Sequence, residues 1–393
     1  MKQVASLIST YSSDEFGICS ALFELGGMVV MHDASGCNST YTTHDEPRWY
    51  DMDSMIYISA ISEMEAIMGD DSKLIEDVIE TANTLKPAFI AIVGAPIPYM
   101  IGTDFKAIAE MIEQRTGIPT FGFEANGMND YIKGVSMALK ALVERFCDRS
   151  IEKNPKKTVN ILGTTPLDFA LNGSVEAIRE WLKTAGFGVT ACMCMGSQLE
   201  DIKRAGEASV NLVVSAGGLE AAKALKALFG TPYVVGVPVG DLFSGYLAGE
   251  LRRACDMQCD IISYHGLHGR GVEVPEIKEA AVSKKHCKHQ HVAIIGEAVY
   301  AKSLATAIEM TYDTKVCVYC PLTMDEVLLG PEDRGHVEED VLMTLAETVD
   351  AVIADPLYAA LYKDKCDFYE LPHEAFSGRI YDKVNPNLIG KSL

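Results

Sequence analysis

At 393 residues the chain is too long for one ordinary core, and two or three α/β units are the expectation. Apolar residues make up 48% of it, yet no run reaches the ~18–20 residues that span a bilayer, which excludes a transmembrane helix. A net charge of −21 without a basic stripe argues against nucleic acid, since nothing could replace the counterions of a phosphate backbone.

The N-terminal "MKQVASLIST" has no long apolar h-region and no small-residue cleavage site; it reads as a first strand of a cytoplasmic protein with no membrane partner. Apolar runs of strand length then alternate with amphipathic segments of helical length, the βαβα signature of parallel sheets covered on both faces. The strand candidates are "QVASLIS", "GMVVMH", "AFIAIVG", "TVNILG", "VNLVVS", "YVVGV", "VAIIG", "KVCVYC" and "DAVIAD". Helical patterns lie between them in "DSKLIEDVIETANTL", "DFKAIAEMIEQRTG" and "GLEAAKALKALFG". "RTGIPTFGF" and "LFGTPYVVGV" share one plan: helix, terminal Gly as a left-handed cap, one residue, Pro, then strand. The polar stretches 148–157 and 282–291 read as connections, each followed by a fresh strand. Three α/β domains are expected, at 1–155, 156–289 and 290–393.

In open α/β sheets ligands sit in the loops after the carboxyl ends of strands. The apolar run Met28–Met31 stops on "HDASGC", which sets an imidazole (His32), a carboxylate (Asp33) and a thiol (Cys37) in one turn. Gly36 would let the backbone approach whatever Cys37 binds, and thiolate is the preferred ligand of iron–sulfur clusters; a half-buried turn thiol is the plain alternative. Trp49 soon follows and is expected in the core, a docking surface being the other reading.

The chain holds eleven cysteines, which in a reducing compartment are thiols or metal ligands. Cys192 and Cys194 lie in an apparent strand and read as core thiols. Cys255 and Cys259 are spaced one helical turn apart, which would place them on one face. His286, Cys287, His289 and His291 form a tempting cluster inside a Lys-rich connection. Cys317 and Cys320 straddle a strand end, whereas a redox CxxC should open a helix. No GxxxxGK[ST] occurs and "GTTPLDFALNGS" lacks the GxGxxG spacing, so no nucleotide is expected on this chain. Nor does "SGYLAGEL" form a nucleophile elbow.

The order of these segments resembles component 1 of nitrogenase and its relatives, including the dark-operative protochlorophyllide reductase. "MHDASGC" is similar to the family's HGxxGC turn. The stretch from "ISEMEAIMGDD" to "IGTDFKAIAEMI" is similar to its TExxxVxGG block, strand, Cys-containing loop and IGDD. "TGIPTFGFEANGM", "NLVVSAGGLEAAKALKALFGTPYVVGVPVG" and "DAVIADPLY…FYELPHEAFSGRIY" keep the family's order. The resemblance implies three Rossmann-like parallel-sheet domains, pairing with a homologous subunit and an iron–sulfur cluster at the interface. It also implies electrons from a separate ATP-hydrolysing iron–sulfur reductase.

The chain departs from the family's pattern in two ways. The family's first and third cluster cysteines fall here at Asp14–Glu15 and Ala95–Pro96, leaving Cys37 alone. Since a [4Fe–4S] cluster needs four ligands, Cys37 with three cysteines of an unlike partner completes it; a homodimer with Asp14 or Glu15 as oxygen ligands is the alternative. His32 is expected to orient the turn, with or without tuning the cluster, and Asp33 or Glu15 to serve as second ligand or proton relay. The family's cofactor-ligating Cys falls at Val214–Ser215 and its late His has no aligned counterpart, His373 being only near, so reduction of dinitrogen on a cofactor in this chain is not expected. A scaffold for metallocofactor assembly and a cluster-free small-ligand module are the rival functions.

Overall fold

The computed structural model describes residues 11–34, 36, 38–41, 45–265 and 284–393; the strand expected at 3–9 lies outside them. Within the described residues the strands build three sheets, parallel throughout. The first contains β1 (Met28–Met31), β2 (Met55–Ile58), β3 (Ile90–Val93) and β4 (Thr120–Phe123) in the order β2-β1-β3-β4. The second contains β5 (Thr158–Leu162), β6 (Gly188–Cys192), β7 (Val210–Val213), β8 (Tyr233–Val235) and β9 (Ile261–Ile262) in the order β6-β5-β7-β8-β9. The third contains β10 (Lys285–Ile295), β11 (Tyr312–Cys320), β12 (Arg334–Gly335), β13 (Ala351–Ala354) and β14 (Asp367–Glu370) in the order β12-β11-β10-β13-β14. The first two orders are flavodoxin-like and the third is that of a Rossmann fold, so each sheet reverses direction beside its first strand. Those reversals, next to β1, β5 and β10, are where crevices open.

β1 shows why a continuous apolar run makes such a strand. Met28 and Val30 point into one core with Leu74, Ile75 and Phe105, while Val29 and Met31 point into the main core on the other face. The helices covering it follow from their periodicity. Counting in chain order, α1 is Asp14–Leu22, α2 Glu63–Met68, α3 Ser72–Leu85, α4 Pro96–Ile101, α5 Phe105–Thr116, α6 Tyr131–Phe146 and α7 Pro166–Phe169. α3 buries Leu74, Ile75, Val78, Ile79 and Ala82, a single stripe at helical spacing. α5 and the helix Leu219–Phe229 end on Gly117 and Gly230 in the left-handed region (φ 72° and 68°), as the repeated Gly-x-Pro pattern predicts.

α1 went unread in the sequence because it has no amphipathic period: all nine of its residues are buried. It crosses α6 at backbone contact, since a Cβ on Gly17 would come within 2.2 Å of the Tyr131 carbonyl oxygen and one on Gly134 within 1.9 Å of that of Asp14. The expected boundary near 155 falls between α6 and β5, while that near 290 falls inside β10. The polar segment 282–291 is therefore no simple connection. From Lys285 onward it is strand, held to β11 by backbone pairing while its first seven residues stay unburied. Among the described residues no helix is long and apolar enough to cross a membrane.

Candidate functional site

The turn after β1 sits at the carboxyl edge of the first sheet. The His32 amide donates to the Val93 carbonyl (2.8 Å), which puts the imidazole at the reversal between β1 and β3. Ser59, just after β2, holds the turn from the other side: its Oγ is hydrogen-bonded to His32 Nδ1 (2.8 Å) and accepts from the Asp33 amide (3.2 Å). The ring meets Phe105 edge-on at 6.4 Å, and burial lowers its pKa to about 4, so the imidazole is neutral near pH 7. Its Nε2 is buried without a hydrogen bond, 3.7 Å from Asp71 Oδ1. Asp33 is buried too; its Oδ1 has no hydrogen-bond partner, and burial raises its pKa. Gly36 is exposed and its carbonyl accepts from Ser39 Oγ (2.9 Å); a Cβ there would meet nothing within 4 Å, so no close approach by the described residues requires glycine. Cys37 lies outside the described residues.

α1 brings a second carboxylate pair to this edge, and its two members differ. Asp14 is committed, accepting from the Gly127 amide (2.8 Å) and from Asn129 Nδ2 (2.8 Å). Glu15 is not: its Oε2 is buried and has no hydrogen-bond partner. Burial, reinforced by the neighbouring Asp14, pushes the Glu15 carboxyl well above the usual range. A Cβ on Gly127 would lie 2.7 Å from Pro96 Cγ and 3.3 Å from Glu15 Oε2, so Glu15, Pro96 and Gly127 meet in space. Glu15 and Pro96 are far apart in sequence, yet they flank one crevice.

An iron–sulfur cluster, the group the resemblance implies, can be tested against these donors. Among the described residues no three of His, Cys, Asp and Glu are grouped so as to hold a metal ion. The described residues at this edge offer two bare carboxylate oxygens, Asp33 Oδ1 and Glu15 Oε2, with His32 Nε2 also without a hydrogen bond. That donor set does not fit a cluster held by this chain's described residues alone.

The other candidates are placed as follows. Trp49 packs against Phe23 and Tyr41 in the core. Beside it the buried Arg48 guanidinium binds Glu46 (2.7 Å), Glu24 (2.8 Å), the Ser20 carbonyl (2.9 Å) and the Cys194 carbonyl (2.9 Å), tying the post-turn segment to the second sheet. Cys192 and Cys194 are buried thiols whose pKa values burial raises, but only Cys192 is in the strand; Cys194 lies beyond it at φ 93°. Cys255 and Cys259 do not share a helical face, because the helix ends at Met257 with Gln258 as a left-handed cap. His286, Cys287, His289 and His291 lie along β10, and His289 faces Tyr369 (3.1 Å) and Asp367 (3.2 Å). Cys320 ends β11 and is buried.

The sequence reading missed a second group of residues, at the reversals of the second and third sheets. Asp168 in α7 follows β5, and Glu297 follows β10 directly. Glu297 accepts from the Ala216 amide beyond β7 (2.9 Å) and from the Tyr300 amide (2.8 Å), joining the two sheet edges. Burial, and secondarily the Asp168 charge, raise the Glu297 pKa. His373, only near the family's late His in sequence, stands 3.5 Å from Asp168 Oδ1. Position immediately after a strand was the available signal: "VAIIG" is followed at once by Glu297, and "TVNILG" by the loop that holds Asp168.

Three parallel sheets with reversals at these edges define the class of protein. The chain belongs to the nitrogenase component 1 type oxidoreductase family, whose model matches residues 18–320. It is 28% identical over 187 residues to the nitrogenase iron-molybdenum cofactor biosynthesis protein NifE of Methanosarcina barkeri, covering 44% of this chain and 39% of that protein. It is 24% identical over 215 residues to one of the subunits of the light-independent protochlorophyllide reductase of Nostoc punctiforme, covering 48% and 41%. These alignments span about two fifths of the relatives' length. The solved structure of nitrogenase Cp1 at pH 6.5 superposes with a TM-score of 0.71 at 15% identity, covering 100% of this chain and 91% of that one, and it shows the shared fold.

Proposed function

We propose that this chain is part of a cytoplasmic nitrogenase-like reductase and contributes Cys37, with Glu15 as a second donor, to a [4Fe–4S] cluster completed by a homologous but unlike subunit. When bound, such a cluster supplies one-electron transfer; an ATP-hydrolysing iron–sulfur reductase would deliver the electrons, this chain having no nucleotide fingerprint. The observation that carries the reading is the crevice at the first sheet's edge: Glu15 Oε2 is buried without a hydrogen-bond partner, against Pro96 and Gly127. A bare buried carboxylate oxygen is costly unless a donor or a cation completes it. His32, neutral and fixed by Ser59, sets the direction in which the chain leaves β1; Glu15, with its raised pKa, can hold a proton or offer an oxygen.

A scaffold for metallocofactor assembly is the second reading, favoured by the likeness to the NifE biosynthesis protein. Anaerobic purification with iron and sulfide analysis, of the chain alone and with any co-purifying homologue, tests the proposal. Iron and acid-labile sulfide should appear with the partner, and Cys37→Ala should remove most of both. Equal iron in wild type and Cys37→Ala would end the cluster reading. A cluster that no ATP-driven reductase can reduce would favour the scaffold.

A further inference from the structure

Away from the turn, the carboxyl ends of β5 and β10 face each other across a small cavity. Its most telling group is Asp168, whose side chain is 1% exposed. The Tyr131 hydroxyl donates to Asp168 Oδ1 (2.5 Å), while Oδ2 has no hydrogen-bond partner. His373 presents its ring at 3.5 Å, with neither ring nitrogen hydrogen-bonded. That ring is held rigidly, stacked on Phe376 at 4.4 Å with its backbone amide bound to Asp355 Oδ2 (2.8 Å). Glu297 closes the third side. The space between has a volume of about 30 Å³, room for one or two water-sized groups, and Asn172 and Ser174 also line it.

The chemistry of that lining selects an occupant. Among the described residues no Lys or Arg lines the cavity; His373 Nε2 faces Asp168 Oδ1 at 3.5 Å, and Asp168 Oδ2 is left without a hydrogen-bond partner. The Asp168 carboxylate repels an anion. No thiol is present for a soft metal, and among the described residues no three metal-ligating side chains are grouped there for a hard one. What is offered is one bare carboxylate oxygen and an imidazole, which when neutral brings one lone pair and one N–H. Acceptors buried without donors are satisfied by a group that brings N–H bonds and positive charge together.

We propose that this junction of the second and third sheets binds an ammonium-sized cationic head group, either free ammonium or the protonated amine of a small molecule. Asp168 Oδ2 anchors the charge, His373 accepts a second N–H, and Tyr131 holds the carboxylate from behind. The site is independent of Cys37 and Glu15, and its test needs no iron.

Isothermal titration and thermal unfolding of the full chain provide that test, with ammonium, methylammonium, potassium and tetramethylammonium chlorides at matched ionic strength. Ammonium should bind saturably and raise the unfolding midpoint by about 2–4 °C, with tetramethylammonium inert. Tighter binding of methylammonium points to an amine-bearing ligand, and exclusion of methylammonium to free ammonium. Asp168→Asn keeps the shape and can still accept from Tyr131, yet should weaken binding at least tenfold. Should that variant not fold, His373→Gln should weaken binding severalfold. Equal responses to potassium and ammonium, or unchanged affinity in the variant that folds, would overturn the proposal.

Discussion

The turn after β1 and the junction after β5 and β10 occupy the same kind of position, a carboxyl edge where strand order reverses, and are finished in opposite ways. At the turn each polar group is gripped on one side and bare on the other: His32 by Ser59, Asp33 by its backbone, Glu15 by its helix. At the junction the groups face one another: Tyr131 binds Asp168, His373 stands over it, and Glu297 bridges two sheet edges. Shared topology therefore fixes where polar groups gather, while neighbouring helices decide whether they are left open or closed around a space.

The most damaging substitution should be at the anchor of the turn side. Arg48→Met removes the cation paired with the buried Glu46 and frees the Cys194 carbonyl. Unfolding free energy in a denaturant titration should fall by about 3–5 kcal/mol. Ammonium binding at the junction should survive under native conditions; if it fell in step, the two regions would be one cooperative site.

The pH dependence separates them next. His32 titrates near 4 in the fold against 6.5 unfolded. Between those values the unfolded chain binds more protons, so stability falls as pH drops through that window, by up to about 3 kcal/mol. Glu297 has the opposite sign. Its raised pKa means the folded state keeps a proton the unfolded chain has lost, so stability declines as pH rises above 4.5 toward that raised value. His32→Gln should flatten the acid limb and Glu297→Gln the limb on the alkaline side. Glu15 adds to the second limb, and Glu15→Gln distinguishes its share.

Most of the fold was legible because burial on both faces writes itself into sequence. β1, β3, β5, β7 and β13 are apolar runs, and their covering helices keep period and caps. The misses have physical causes. α1 has no polar face to betray it, and the first half of β10 is polar because pairing rather than burial holds it. At the site, His32 and Asp33 could be named from their position after a strand, and Glu15 only from where the family resemblance sets its first cluster cysteine. That Asp14 is spent on Gly127 and Asn129 while Glu15 is bare depends on a loop more than a hundred residues away. Asp168, Glu297 and Tyr131 come from three separate segments, and no local pattern links them.

A milder change probes the backbone beside the junction. Ala170 closes α7 at φ 50°, ψ −162°, a conformation that only glycine adopts without cost. Ala170→Gly should stabilise the chain by about 1 kcal/mol in the same titration. A loss instead would mean that the Cβ packing there outweighs the strain.

The wholly buried α1 bears on the order in which the protein is made. Its flanking residues are fastened to segments far along the chain: the Ser12 amide donates to the Ala375 carbonyl (2.9 Å), and the Tyr11 and Tyr358 hydroxyls meet at 2.7 Å across 347 residues of sequence. α1 therefore leaves the ribosome long before those segments. α6 covers α1 once residues 131–146 are made, and Glu15 meets Pro96 and Gly127 within the same early stretch, while the ties of Tyr11 and Ser12 wait for residues 358–375. The first sheet's edge can therefore be shaped before the last segment fastens the chain's beginning to its end.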